Sequence, residues 1–162
     1  MSNSDDFIQA NARYAATFTK GELPKPPGRK LAVIACMDAR LDPAKFLGLE
    51  EGDAHIIRNA GGRAADAIRS LIISQQLLGT REIAVIHHTD CGMLTFTEEQ
   101  LHQKLHDEFN VHAEIEFLPF TDVEQSVRDD MEIIRTSPLL ISDIPVRGYI
   151  YDVHTGQLHE VN

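Results

Sequence analysis

In the first half of the chain, apolar residues fall in short unbroken runs: Leu31–Cys36 (LAVIAC), residues 54–58 (AHIIR), and the IAVIHH stretch within residues 81–88. Runs of this length without polar alternation, bounded by turn formers, predict buried strands. Between the second and third runs, residues 63–78 (RAADAIRSLIISQQLL) have the length of a helix. They follow Gly61 and Gly62, where the backbone can turn sharply, and close on Gly79. This strand, helix, strand succession implies a parallel sheet.

Residues 97–109 and 121–135 pattern as polar helices, with Thr121 or Asp122 placed to cap the second and Pro119 and Pro138 as punctuation. Residues 146–153 and 157–161 alternate about Thr155 and Gly156 and predict a terminal hairpin or edge strand. At the other end, Phe7, Tyr14 and Phe18 recur at helical spacing within residues 5–19, ahead of Gly21 and the stiff KPP at 25–27. The expected fold is α/β: a central, mostly parallel sheet flanked by helices in three layers, with an antiparallel C-terminal edge strand. Residues 1–162 are expected to form one domain, of which residues 1–28 are a helical arm and linker.

Composition narrows the function. At 162 residues and 43% hydrophobic, the chain can bury one real core but not two ordinary ones. Its 25 acidic and 15 basic residues leave a net charge of -10, which argues against a phosphate-neutralising surface and so against nucleic acid as partner. No apolar run approaches the roughly 20 residues that span a bilayer, and MSNSDDFIQA lacks the basic and apolar regions of a signal peptide. The expected compartment is the cytoplasm, with no membrane partner. In that reducing setting the two cysteines, Cys36 and Cys91, point to metal binding or catalysis rather than a disulfide.

Zinc prefers thiolate and imidazole, and a catalytic site uses three protein ligands and leaves a fourth position to water. Cys36 ends the first predicted strand, while His88 and Cys91 flank the end of the third and the turn after it. In an open parallel sheet the carboxyl ends of strands are where sites gather, so the two segments can meet at one metal. Gly92 would allow close backbone approach after Cys91. His87 alternates with His88 and should face the other way. The remaining histidines, His55, His102, His106, His112, His154 and His159, are read as lacking paired spacing, which leaves no fourth ligand and favours an open site.

Two residues beyond Cys36 comes Asp38, and two beyond that Arg40; an extended run at this spacing would point all three to one side. With CMDAR at 36–40 and HHTDCGM at 87–93, the chain resembles the β-class carbonic anhydrases in their short bacterial form. The likeness extends through RNAGG at 58–62, the following helix and LLGTREI at 77–83, and more weakly to VRGYIYDVHTG at 146–156. The resemblance implies one zinc ion per chain on Cys36, His88 and Cys91, and Asp38 and Arg40 as a catalytic dyad. It also implies carbon dioxide and bicarbonate as substrates, and assembly as a homodimer or dimer-based tetramer in which the N-terminal helices wrap the partner.

The residue chemistry agrees. An ionised Asp38 can accept a hydrogen from the attacking water and aim it at carbon dioxide, but it is also a competent zinc ligand. The planar fork of Arg40 matches a carboxylate and would hold Asp38 off the metal. The Gly92 backbone N–H could donate to the developing anion. An accessory bicarbonate pocket that uses tryptophan is not expected, since the chain has none. Three rivals stay open: carbonyl sulfide or carbon disulfide hydrolysis on the same zinc site, a zinc-stabilised binding module, and a Cys36/Cys91 thiol switch.

Overall fold

The computed structural model describes residues 2–162. Five strands, β1 (Leu31–Cys36), β2 (Ala54–Asn59), β3 (Glu82–His88), β4 (Val146–Tyr151) and β5 (Leu158–Val161), form one sheet in the order β2-β1-β3-β4-β5. The first four pair in parallel, and β5 returns antiparallel on the edge beside β4. β1 therefore lies between the two strands that the intervening helix connects. Five of its six residues are buried, the burial expected of an unbroken apolar run at the centre of a parallel sheet.

Five α-helices accompany the sheet: α1 (Phe7–Ala15), α2 (Pro43–Leu47), α3 (Ile68–Leu78), α4 (Glu98–Phe109) and α5 (Val123–Thr136). On one face Leu71 of α3 and Val127, Met131 and Ile134 of α5 pack with Ala32, Ile34, Ile83 and Val85. On the other, Val33, Ala35 and Ile86 meet Leu49 and the side chains of Ala44, Phe46 and Leu47 from α2. The outcome is the expected three layers. α5 sits tight on β4 because Gly148 has no side chain: a Cβ there would lie 2.4 Å from Val127 Cγ1.

Local chemistry fixes the helix ends. Thr97 and Gln100 form a reciprocal capping box at α4, and the Asp122 carboxylate accepts from Gln125 N at α5. The helix expected over residues 63–78 opens as a 3-10 turn at Ala65–Ala67 and becomes α-helical at Ile68. The Asn59 side chain accepts from Arg63 N at 2.7 Å and donates to Arg63 O at 3.0 Å, which closes a loop that keeps Arg63 itself out of the helix. α2 was not expected, since five residues are too few to show a period; Asp42, Pro43 and Gly48 cap and end it.

Arg63 leaves that loop to grip Asp130 of α5 through Nε and Nη2. The pair is buried, with His87 Nε2 and Ala64 N also on the Asp130 carboxylate. Every strong acceptor site of Asp130 is thus used, the condition under which an internal charge pair is tolerated.

Candidate metal centre and its flanking carboxylates

β1 and β3 are neighbours in the sheet, so their carboxyl ends place Cys36 and His88 side by side, and the turn after β3 brings Cys91 over them. One ligand atom from each lies within 4.8 Å of the others, and all three residues are buried. Gly62 lets this edge close up: at φ +64 its missing Cβ would lie 2.8 Å from Cys36 N, so a larger residue would push β1 away.

The donor chemistry fits a cation. His88 Nδ1 donates to Thr89 O at 2.8 Å, which leaves a lone pair on Nε2, and Nε2 is buried without a partner. A hydrogen bond from Cys91 pulls the Cys36 thiol down to about 4 despite burial, while the Cys36 thiolate and burial push Cys91 up. Thiolate is the form that ligates a metal, so a cation bound here would displace the thiol proton.

Asp38 stands next to this group and outside it. Its Oδ2 is 3.8 Å from His88 Nε2. Arg40 grips both carboxylate oxygens, Nε on Oδ1 at 3.0 Å and Nη2 on Oδ2 at 2.8 Å, and Arg40 N adds a bond to Oδ1 at 2.9 Å. That grip holds the Asp38 carboxyl well below the usual range. Asp38 and Arg40 do meet, but not along an extended strand: β1 stops at Cys36 and the chain bends, with Leu41 N bonded to Asp38 O at 3.0 Å. An aspartate that accepts from the backbone two residues on is a turn former, and this overrides the alternation expected of a strand.

Two contributors were not foreseen. Arg58 of β2 donates to Cys36 O at 3.0 Å and to Asp38 O at 2.7 Å, tying down the main chain that carries both side chains. Asp90 receives Arg40 Nη1 on Oδ2 at 2.8 Å, and its main-chain O receives Nη2 at 2.9 Å. RNAGG and HTDC contain these residues, but their partners lie 22 and 50 positions away in sequence.

A cavity of about 420 Å³ opens onto Cys36, Cys91 and Gly92 and is walled by Met93, Phe96 and Leu101. Gly92 lines it, but a Cβ there would meet nothing within 4 Å, so close backbone approach is not what the glycine provides.

The other histidines are engaged elsewhere. His87 faces away from the centre, as alternation predicts, bonding Ser126 Oγ and Asp130. The Ser126, His87, Asp130 string has the order of a hydrolytic triad, yet all three are buried and Ser126 Oγ donates to Val123 O, so it holds α5 on the sheet. His55 bonds Ser74. His102 and His106 do share helical i, i+4 spacing on α4, contrary to the sequence reading, but they take no part in the centre.

The carbonic anhydrase family profile matches residues 31–116. The chain is similar to beta-carbonic anhydrase 1 of Mycobacterium tuberculosis, at 46% identity over 162 residues and 99% of each chain. It is also similar to the crystal structure of a carbonic anhydrase from Streptococcus mutans, with a TM-score of 0.94 and 51% identity over 100% of this chain and 99% of that one. A carbon disulfide hydrolase from Acidianus is 36% identical, covering 92% of this chain and 84% of the relative.

Proposed function

We propose that this chain, which belongs to the β-class carbonic anhydrase family, catalyses the reversible hydration of carbon dioxide to bicarbonate and a proton. The family's cofactor is zinc. We assign one ion per chain to Cys36, His88 and Cys91, with Asp38 and Arg40 as the catalytic dyad and Gly92 as an anion contact. One observation carries the reading: three buried ligands of the right kind stand beside a carboxylate that is within reach and gripped by Arg40.

Bound there, zinc supplies the Lewis acidity that makes water a nucleophile near neutral pH. Two thiolates and a neutral imidazole cancel the charge of the ion, which shifts weight onto the surrounding groups. Asp38 stays ionised because of Arg40, and its Oδ2 keeps a lone pair beyond the one given to Nη2. That lone pair accepts the hydrogen of the attacking water and orients it toward the apolar cavity, where an uncharged substrate needs no hydrogen bonds. Arg40 prevents Asp38 from becoming a fourth ligand. The Gly92 N–H, at the wall of the same cavity, receives the developing anion.

A second reading is carbon disulfide or carbonyl sulfide hydrolysis, which the Acidianus relative and an apolar cavity suited to any small heteroallene both favour. A zinc-stabilised binding module is the weaker rival, since it has no use for a restrained Asp38.

The chain is further proposed to form a single domain that works in the cytoplasm as a homodimer or dimer-based tetramer. Support for assembly comes from α1: among the described residues none of the helix is buried, and Phe7, Ile8 and Tyr14 present an apolar surface that a second copy would cover. Met1, the first residue of the proposed arm, lies outside the described residues. Among the described residues no helix is long and apolar enough to cross a membrane.

The test is zinc analysis followed by assays of carbon dioxide hydration and of carbonyl sulfide and carbon disulfide hydrolysis on one preparation. Hydration in proportion to zinc supports the proposal, sulfur-substrate activity alone replaces it with the second reading, and zinc with neither activity leaves the binding module.

A further inference from the structure

Asp90 sits between His88 and Cys91 in the turn that carries both, yet its carboxylate is engaged with Arg40. We propose that Asp90 is a positioning residue, a second carboxylate that fixes the Arg40 fork so that Arg40 can hold Asp38 in register with the metal ligands. The inference rests on the roles assigned above to Asp38 and Arg40.

The Arg40 side chain is 46% exposed, and an exposed pair between a long side chain and one carboxylate constrains little, because the ordering entropy nearly cancels the attraction. Asp38 is also a local partner, only two residues away, so a swing of Arg40 would carry the dyad with it. Asp90 comes from a different strand end. It takes Nη1 on its carboxylate and Nη2 on its main-chain oxygen, so the guanidinium is held on two edges by two separate segments. All three guanidinium nitrogens are then committed, and the plane of the fork is set.

The main-chain contact explains the residue type. Asp90 has φ +52, a left-handed conformation that aspartate, asparagine and glycine tolerate and most residues do not. That conformation aims its carbonyl at Nη2 while the side chain reaches Nη1. Asparagine would keep the turn without the charge, glycine the turn without the side chain, and glutamate the charge in a conformation it disfavours. Only aspartate meets both demands, which ties the Cys91 turn and the Asp38 turn into one unit.

The experiment compares Asp90→Asn and Asp90→Gly with wild type in the zinc-loaded full-length chain, and repeats Asp90→Gly in an Arg40→Ala background. Both single variants are expected to keep one zinc per chain and the wild-type melting temperature. Turnover should fall about threefold in Asp90→Asn and about tenfold in Asp90→Gly, with KM unchanged. In the metal-free protein, the Arg40 Nε–H resonance should be sharp and slow to exchange in wild type and broadened in Asp90→Gly. Adding Asp90→Gly to Arg40→Ala should cost nothing further, since the effect runs through Arg40.

Wild-type turnover in Asp90→Gly would overturn the proposal. So would zinc loss or unfolding in step with activity in both variants, which would make Asp90 a turn residue only, or full additivity with Arg40→Ala. Wild-type turnover in Arg40→Ala itself would instead remove the assigned dyad on which the inference stands.

Discussion

Two of the molecule's guanidinium–carboxylate pairs, Arg63 with Asp130 and Arg40 with Asp38, share their chemistry and stand in opposite settings. In the first, Asp130 is 0% exposed and Arg63 is 9% exposed, and the pair pins α5 and the loop before α3 to the sheet. Burial works against the Asp130 charge, and hydrogen bonds from His87 and Arg63 overcome it, so its carboxyl lies below its ordinary value. In the second, Arg40 stays open to solvent and its carboxylate partner stands 3.8 Å from His88 Nε2. Burial turns an ion pair into a structural part that cannot be altered cheaply, while exposure leaves the pair with little to contribute to stability and free to serve chemistry.

The sharpest way to break the comparison is to remove one partner from each pair. Asp130→Ala leaves Arg63 charged and unpaired in the interior, and urea unfolding at pH 7 should register a loss of about 3–5 kcal/mol. Asp38→Asn should keep zinc and change stability by less than about 1 kcal/mol, yet lower carbon dioxide turnover about a hundredfold. Loss of zinc in that variant would mean that Asp38 is a ligand. Arg40→Lys keeps the charge but not the fork, and turnover should fall about tenfold with zinc retained.

The smallest effect is in acid. Asp130 is held below its ordinary 3.8, so its contribution to stability is complete above that value and is lost as pH falls through it. Between pH 5 and pH 3 the wild type should lose more of its unfolding free energy than Asp130→Asn does. Equal losses would show that another group carries the acid sensitivity.

What could be read from the sequence follows the range of the interactions. Buried strands announce themselves as LAVIAC and IAVI because packed layers cover both faces of the sheet there, whereas AHIIR, on the sheet edge, forms a strand with no buried residue. The donors Cys36, His88 and Cys91 stand in two short motifs at strand ends, so residue type and fold logic reach them without coordinates. Asp38 and Arg40 are legible as a pair, although their spacing predicts extended chain where a turn joins them. Illegible were the ties across the fold: Arg63 finds Asp130 67 residues away and Arg40 finds Asp90 50 away, and no local pattern marks either partner. Asp130 reads in sequence as one more acidic residue on a polar helix; only the seating of α5 on β4 and β3 buries it.

The central claim is that Cys36, His88 and Cys91 hold zinc at a site kept open by the Arg40 grip on Asp38, and that this site hydrates carbon dioxide. Stopped-flow measurement of carbon dioxide hydration on protein carrying one zinc per chain tests it most directly. The account predicts catalysis well above buffer, rising in proportion to bound zinc across partly loaded samples. Fully loaded protein that hydrates carbon dioxide no faster than buffer would contradict it.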